Sequence, residues 1–514
     1  MYALPALCLG LVLLSPALTH AQSALDIPGN GDTLSGIGVI SGWKCEAQGD
    51  ITISLDAGVP IPATYGFPRG DTASVCGDDG HNGFFSFFNW AILGDGAHTA
   101  VAYDNGVEFA RSTFTVVTTG EEFVVGARAR VRVPDFPSPG EITWFAWNQS
   151  TQHLEMAAVQ TRSVDQSIVK YLTGPVAEGK SPGLIAAIID EAGIKAIAAA
   201  GVRRQGSSEE LTINDLVKMG SLTKAMTSTM LATVVADGTF VNGWQTTIAQ
   251  VFPELRDEIH PEYRAVTLWQ LVRHEGGVPD DVPAWWTSHP TLPIIERRYR
   301  ILRENLADPP GSSIGEYSYS NAGYMVAAAM AEKLTGQSWE TLMEERLFAP
   351  LGMFSAGFGA PNTPHEVDQP WSHRRDSAGV WIPAQLGYGG PLAPAGDVYC
   401  SLEDFAKFVA LQFPHTSPAI LNRAQLDELL IPIPGNYGGA AGWVVYQGHG
   451  SLLWLFAQGG GGRYCGFFAV IRAVPSRGRA YIAAANSHDD GDLYSSETVS
   501  MLYSIIDSLI DHSP

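Results

Sequence analysis

Two apolar strand pairs, one at each end of residues 161–514, constrain the fold of this chain more than any other feature. The first, "PGLIAAIIDEAGIKAIAAAGVRR" (182–204), reads as two strands around a Glu-Ala-Gly turn. The second, "YCGFFAVIRAVPSRGRAYIAAAN" (464–486), turns at Pro475-Ser476-Arg477-Gly478. Short apolar runs bounded by turn residues are strand signals. Between them come helical patterns at 222–237 and 323–347, and "SSETVSMLYSIIDSLIDH" closes the chain as a helix with Ser496 and Glu497 as capping residues. Strand pairs at both ends of a helical middle predict an α/β (α+β) domain, residues 161–514, whose antiparallel sheet is completed by its two termini and flanked by helices.

Residues 22–160 have a different texture. Period-two runs such as "DITISLDAG" and "HTAVAYDNGVEFARSTFTVV" alternate with turns, and Asp104-Asn105-Gly106 is a hairpin signal because Asn and Gly tolerate positive φ. The expectation is a small, sandwich-like all-β accessory domain. Ahead of it, "MYALPALCLGLVLLSPALTHAQS" has the length of a signal peptide, with a cut after Ala21, although no Lys or Arg precedes the apolar run. The mature protein is expected to be exported, periplasmic or secreted. Without Cys8, four cysteines remain: Cys45 with Cys76 is the favoured disulfide, Cys400 with Cys465 a weaker candidate that two buried thiols would mimic. A formal net charge of −22 repels nucleic acid and anionic membranes.

Ser-x-x-Lys, the spacing by which some serine hydrolases set a nucleophile beside its proton acceptor, occurs three times: Ser41 to Lys44, Ser167 to Lys170 and Ser221 to Lys224. Ser41 and Lys44 sit in a β run, where residues i and i+3 point to opposite faces. Ser167 and Lys170 are read as part of a solvated linker helix ended by Gly174-Pro175. Ser221 follows Gly220 and opens "TKAMTSTMLATVVADG", a helix apolar enough to be buried, with Lys224 one turn on and on the same face. Burial favours the neutral form of a lysine, which suits it to act as a base. An N-capping serine beside a snorkelling lysine would give the same pattern.

Downstream, Tyr319-Ser320-Asn321 could hold a phenol and an amide beside that pair. Gly311-Ser312-Ser313-Ile314-Gly315 matches the nucleophile-elbow pattern, but Pro309-Pro310 before it forbids the strand an elbow requires. His274-Glu275 lacks the second histidine of a zinc helix, and "HDDGD" (488–492) reads as a solvated loop, so no metal is expected.

"GSLTKAMTS", "LWQLVRHEGGVP", "PGSSIGEYSYSNAGY", "LFAPLGMFSAGFG" and "APAGDVYCSLEDFAKFV", in that order, resemble the serine β-lactamase and penicillin-binding-protein superfamily, in the branch with class C β-lactamases, D-alanyl-D-alanine carboxypeptidases and esterases. The resemblance covers about residues 165–512 and implies the β-lactamase/transpeptidase-like fold. It also implies a serine hydrolase acting through an acyl-enzyme on Ser221, with Lys224 and Tyr319 sharing base and acid roles. Asn321 would orient substrate, the N–H groups of Ser221 and Gly461 would form the oxyanion hole, and no cofactor is needed. The branch's Lys-Thr-Gly or His-x-Gly, on a sheet-edge strand, is matched by Gln458-Gly459-Gly460, with His449-Gly450 as a more distant rival. Neutral Gln458 would not help neutralise a substrate carboxylate, which favours an uncharged ester over a β-lactam or D-Ala-D-Ala peptide. A catalytically weak binding protein, attached to a cell surface or glycan through its β domain, is a third reading.

Overall fold

The computed structural model describes residues 22–118, 130–134, 141–150, 152–160, 163–279, 288–385, 389–413, 420–434, 439–447, 453–460, 466–489 and 496–512. The chain divides into two compact units, Met1–Thr161 and Arg162–Pro514.

Among its described residues the first unit is all β apart from short helical turns. Its strands form one hydrogen-bonded path, Thr33–Leu34, Val107–Val116, Gly96–Asp104, Ile51–Leu55, Ile61–Phe67, Gly83–Asn89, His153–Gln160, Ile142–Asn148 and Arg130–Pro134, with Ser23–Ile27 and Ile37–Lys44 pairing beside it. The Ile61–Phe67 strand pairs on both sides and so joins the two halves, and Ile40, Ile53, Phe84, Trp90, Ala102 and Phe114 meet in one apolar cluster. The expected hairpin is present: Asp104 pairs with Val107, and Asn105 and Gly106 have φ of 47° and 79°. Ser41 and Lys44 lie on the Ile37–Lys44 strand. Cys45 and Cys76 form a disulfide.

In the second unit six antiparallel strands run in the order Gly193–Gly201, Gly183–Asp190, Arg479–Ala485, Phe468–Val474, Leu453–Gly460, Val444–Gln447. Leu184 pairs with Ala485 and Ile188 with Tyr481, so the two ends of the unit do complete one sheet. The runs look uniformly apolar because both faces are covered. Leu184, Ala186, Ile188, Phe468, Val470 and Ala483 meet Ile168, Leu172, Leu502, Ile506 and Leu509 of two helices, Gln166–Ala177 and Glu497–His512. Ile185, Ala187, Ile189, Ala469, Ile471 and Ile482 face the helical middle of the chain. Each fully buried Leu or Ile contributes about 1.5–3 kcal/mol, so the closing helix is held by its Leu502, Ile506 and Leu509 stripe. Ser496 caps it, accepting from Val499 N at 3.1 Å.

Three expectations are corrected. The helix carrying Ser167 and Lys170 runs through Gly174-Pro175 to Ala177 and is no solvated linker: Ile168 and Leu172 anchor it in the core while Ser167 and Lys170 face solvent. The 323–347 pattern is two helices, Asn321–Thr335 and Trp339–Met343, because Gly336 at φ 71° ends the first in the left-handed region. Cys400 is a buried free thiol on a short strand opposite Val217, so it forms no disulfide; Cys465 lies outside the described residues.

Candidate active site

Ser221 lies in a single 3-10 turn, Gly220–Leu222, that runs straight into the helix Thr223–Ala236. Gly220 has a φ of 52°, a value that suits glycine and turns the chain into the helix. Thr223 to Val234 of this helix are all buried, because it passes through the middle of the apolar core. Lys224 is therefore 2% exposed, while Ser221 at the helix mouth keeps partial access to solvent.

Four groups converge there. Ser221 Oγ is 2.8 Å from Tyr319 Oη and 2.9 Å from Lys224 Nζ. Lys224 Nζ also donates to Asn321 Oδ1 at 2.6 Å and to the Ala395 carbonyl at 2.8 Å. Those two oxygens can only accept, so two Nζ protons are assigned and the remaining tetrahedral position points at Ser221 Oγ. In the ammonium form that position carries a proton; in the neutral amine it carries the lone pair, aimed at the serine hydroxyl. The Tyr319 and Tyr324 rings lie 4.8 Å and 5.7 Å from Nζ, near enough to stabilise the cationic form through their π faces. Tyr319 is 41% exposed and open to a ligand.

Local sequence explains the convergence. Ser320 caps the helix Asn321–Thr335 by accepting from Gly323 N, which leaves Tyr319 just outside the helix and Asn321 in its first turn. The segment before Tyr319 is bonded to the turn that follows the short helix Leu268–Val272: Gly311 N to Gly277 O (2.9 Å), Gly315 N to Glu275 O (2.8 Å) and Ser318 N to His274 O (2.8 Å). Gly442 fits against the start of the Ser221 helix so closely that a Cβ would stand 2.4 Å from Ala225 N, and its φ of 83° excludes most other residues. Gly311 to Gly315 form turn and bend backbone with no strand before them, as the prolines require.

Gln458 and Gly460 lie on the Leu453–Gly460 strand, opposite Val470 and Phe468, and this strand packs against the Ser221 turn. It is one strand in from the edge, not the edge itself. The outer Val444–Gln447 strand nevertheless pairs only as far as Phe456, so among the described residues Gln458 to Gly460 have a strand neighbour on one side alone. Gly461 and the rival His449-Gly450 lie outside the described residues. No cluster able to hold a metal ion occurs among the described residues.

The sequence reading missed three contributors: the Ala395 carbonyl that fixes Lys224, the fit of Gly442, and His274, whose Nδ1 accepts from Ser320 N at 3.0 Å. The stretches holding Ala395 and His274 stood out as family-like, but a carbonyl has no residue-type signature, and the sequence does not show which backbone N–H a buried histidine ring will meet.

The sequence profile of the family described as Beta-lactamase matches residues 168–498, well over half of the chain. An unguisins hydrolase of Aspergillus campestris is 26% identical over 68% of this chain and 66% of its own length, so the chain spans just under two thirds of that relative. Penicillin-binding protein 4 of Amycolatopsis lactamdurans is 27% identical over 58% of this chain and 78% of its own. The D-alanyl-D-alanine-carboxypeptidase/endopeptidase AmpH of Escherichia coli K12 is 26% identical over 54% and 72%. Among solved structures, the D-amino acid amidase of Ochrobactrum anthropi SV3 superposes with a TM-score of 0.54 at 22% identity, covering 68% of this chain and 98% of that one. D-alanine carboxypeptidase AmpC of Burkholderia cenocepacia gives 0.53 at 20% identity, covering 67% and 98%. The second unit of this chain has the fold of these serine hydrolases, and the chain belongs to the Beta-lactamase family.

Proposed function

We propose that this chain is an exported serine hydrolase that cleaves carboxylic esters through an acyl-enzyme on Ser221. The observation that carries the proposal is the single hydroxyl, Ser221 Oγ, within hydrogen-bond distance of both Lys224 Nζ and Tyr319 Oη. Lys224 and Tyr319 together take the proton as Oγ bonds to the substrate carbonyl carbon. They return it to the leaving alkoxide as the ester C–O bond breaks. Water then attacks the acyl-enzyme by the same route in reverse and releases the acid. The N–H of Ser221, with that of Gly461 by its place in the family's motif, is assigned to the oxyanion hole, where one such donor is typically worth about 3 kcal/mol. Asn321 orients substrate while its Oδ1 holds Lys224. Gln458 and Gly460 line the site, and the uncharged Gln458 favours an uncharged acyl group.

A second reading, β-lactam or peptide hydrolysis, is favoured by the half-open backbone of Gln458 to Gly460, which can pair with an extended amide substrate, and by the names of the peptide-cleaving relatives. Export is supported by the apolar stretch 1–21 and by the Cys45–Cys76 disulfide, a bond that persists in oxidising compartments. Contact with a cell surface or glycan is assigned to the first unit, which has its own core and disulfide.

Turnover of p-nitrophenyl butyrate, nitrocefin and a D-Ala-D-Ala peptide by wild type and Ser221→Ala tests these readings. The expected result is ester turnover that disappears in the variant, together with labelling of Ser221 by a fluorophosphonate. Full activity in Ser221→Ala would remove the mechanism, and absence of both turnover and labelling would leave the binding-protein reading.

A further inference from the structure

We infer that His274 is a positioning residue for Tyr319, acting as a fixed neutral hydrogen-bond acceptor and ring support beneath the phenol. The inference rests on the reading of Ser221 as the nucleophile. His274 is buried and belongs to the turn that bonds to the Tyr319 segment. Its Nδ1 accepts from the N–H of Ser320, the residue directly after Tyr319 and the cap of the Asn321 helix. Its carbonyl accepts from Ser318 N, directly before Tyr319. One residue thus holds the backbone on both sides of the phenol.

The ring supplies a third restraint. It lies 4.6 Å from the Tyr319 ring with planes 32° apart, and meets Tyr317 edge-on at 5.7 Å and Tyr324 at 5.4 Å. His274 reaches this position with a φ of 61°, a left-handed conformation uncommon for residues other than glycine, although histidine, asparagine and aspartate adopt it more often than most. Such backbone persists where the surroundings over-determine it, and here the bonds from Ser318 and Ser320, a third from the His274 N–H to the Leu271 carbonyl at 3.2 Å, and three aromatic rings do so. Because an N–H points at Nδ1, the ring's own hydrogen is on Nε2, and a second proton would remove the acceptor that Ser320 requires. Burial, reinforced by the Lys224 cation, holds the imidazole pKa down at about 3. His274 is therefore a constant support at physiological pH and takes no part in proton transfer.

Two substitutions separate the acceptor from the ring. Asparagine places Oδ1 where Nδ1 stands and accommodates positive φ, so His274→Asn keeps the bond to Ser320 and loses the stacking. His274→Phe keeps the ring and leaves the buried Ser320 N–H without a partner. With Ser221→Ala as a control, kcat and KM for p-nitrophenyl butyrate are measured alongside the melting temperature and the rate of fluorophosphonate labelling. The expected result for His274→Phe is a fall in kcat and in labelling rate of between about ten- and a hundredfold, the scale of a displacement near 1 Å, with KM within about twofold of wild type. His274→Asn is expected to recover most of that loss. Unchanged kcat in His274→Phe, or an equally deep loss in His274→Asn at unchanged melting temperature, overturns the inference. Should His274→Phe fail to fold, His274→Asn decides alone: kcat within about threefold of wild type supports the inference, and a loss as deep as that of Tyr319→Phe overturns it. Activity surviving in Ser221→Ala would refute the reading of the nucleophile, a result distinct from any outcome at His274.

Discussion

His373 makes the second unit sensitive to acid by an amount that follows from its surroundings. The side chain is fully buried on the Ser372–Arg375 strand. Nδ1–H donates to the Asn486 carbonyl at 2.8 Å, while Nε2 accepts from Gln205 N at 2.9 Å. Both bonds fit only the neutral ring, since an imidazolium would turn an N–H toward the Gln205 N–H. Burial and the nearby Arg204 guanidinium lower the pKa from 6.5 to about 4. A group whose pKa is depressed on folding gives stability that is complete above the unfolded value and is lost as pH falls toward the folded one. At pH 5 the unfolded ring binds a proton and the folded ring does not, which removes about 2 kcal/mol relative to pH 8, rising to about 3 kcal/mol at pH 4. The value at pH 5 barely depends on where below 5 the folded pKa lies, which makes it a sound test. His373→Gln replaces the group with one that does not titrate. In urea unfolding followed by tryptophan fluorescence, the variant is less stable than wild type at pH 8, and the gap narrows by about 2 kcal/mol at pH 5. A gap of the same size at both pH values would refute the reasoning, whatever the fixed cost of the substitution.

Four further outcomes are expected. Gly442→Ala forces a Cβ against Ala225 N and an alanine into φ 83°, so fluorophosphonate labelling of Ser221 slows by about tenfold or more while the protein stays folded, as circular dichroism checks. Lys218 is wholly buried, donates to the Gly359 carbonyl at 2.5 Å and pairs with buried Asp397; Lys218→Met leaves that carboxylate without its cation, held by the N–H groups of Gly359 and Gly389, and lowers stability by about 3 kcal/mol, read from the urea midpoint. Replacing Cys45 and Cys76 together by alanine opens a loop with a sequence separation of 31, which lowers the stability of the first unit by up to about 4 kcal/mol in a calorimetric scan. Lys224→Met leaves the Ala395 carbonyl and Asn321 Oδ1 without the amine and lowers kcat/KM for the ester by about 10²–10⁴-fold, measured at pH 8.

Much of the second unit was legible in one dimension. Short apolar runs closed by Pro475-Ser476-Arg477-Gly478 have no favourable form except paired strands, and the Leu502, Ile506, Leu509 stripe has to lie on them. The same physics placed Ser221 at the mouth of a buried helix and rejected Ser41, because these are consequences of local period. The helix carrying Ser167 was misjudged for the same reason: Gly174-Pro175 reads as a stop locally, but Ile168 and Leu172 bury one side of the helix and Val176 packs its last turn against the same cluster. Local pattern could not say that Cys400 stays a thiol, since pairing depends on where a distant partner is placed.

The sequence by itself determined which residues can do chemistry. Ser221 and Lys224 are one helical turn apart, so their meeting depends on helix geometry alone. Tyr319 and Asn321, nearly a hundred residues on, reach the same point only because Ser320 caps a helix and His274 holds the backbone beside it. The Ala395 carbonyl and the Cβ-free surface of Gly442 likewise come from chain segments that touch Lys224 only after packing. Contacts made through backbone atoms leave almost no trace in residue type, so the tertiary structure alone decided how the lysine is held and what the tyrosine rests on.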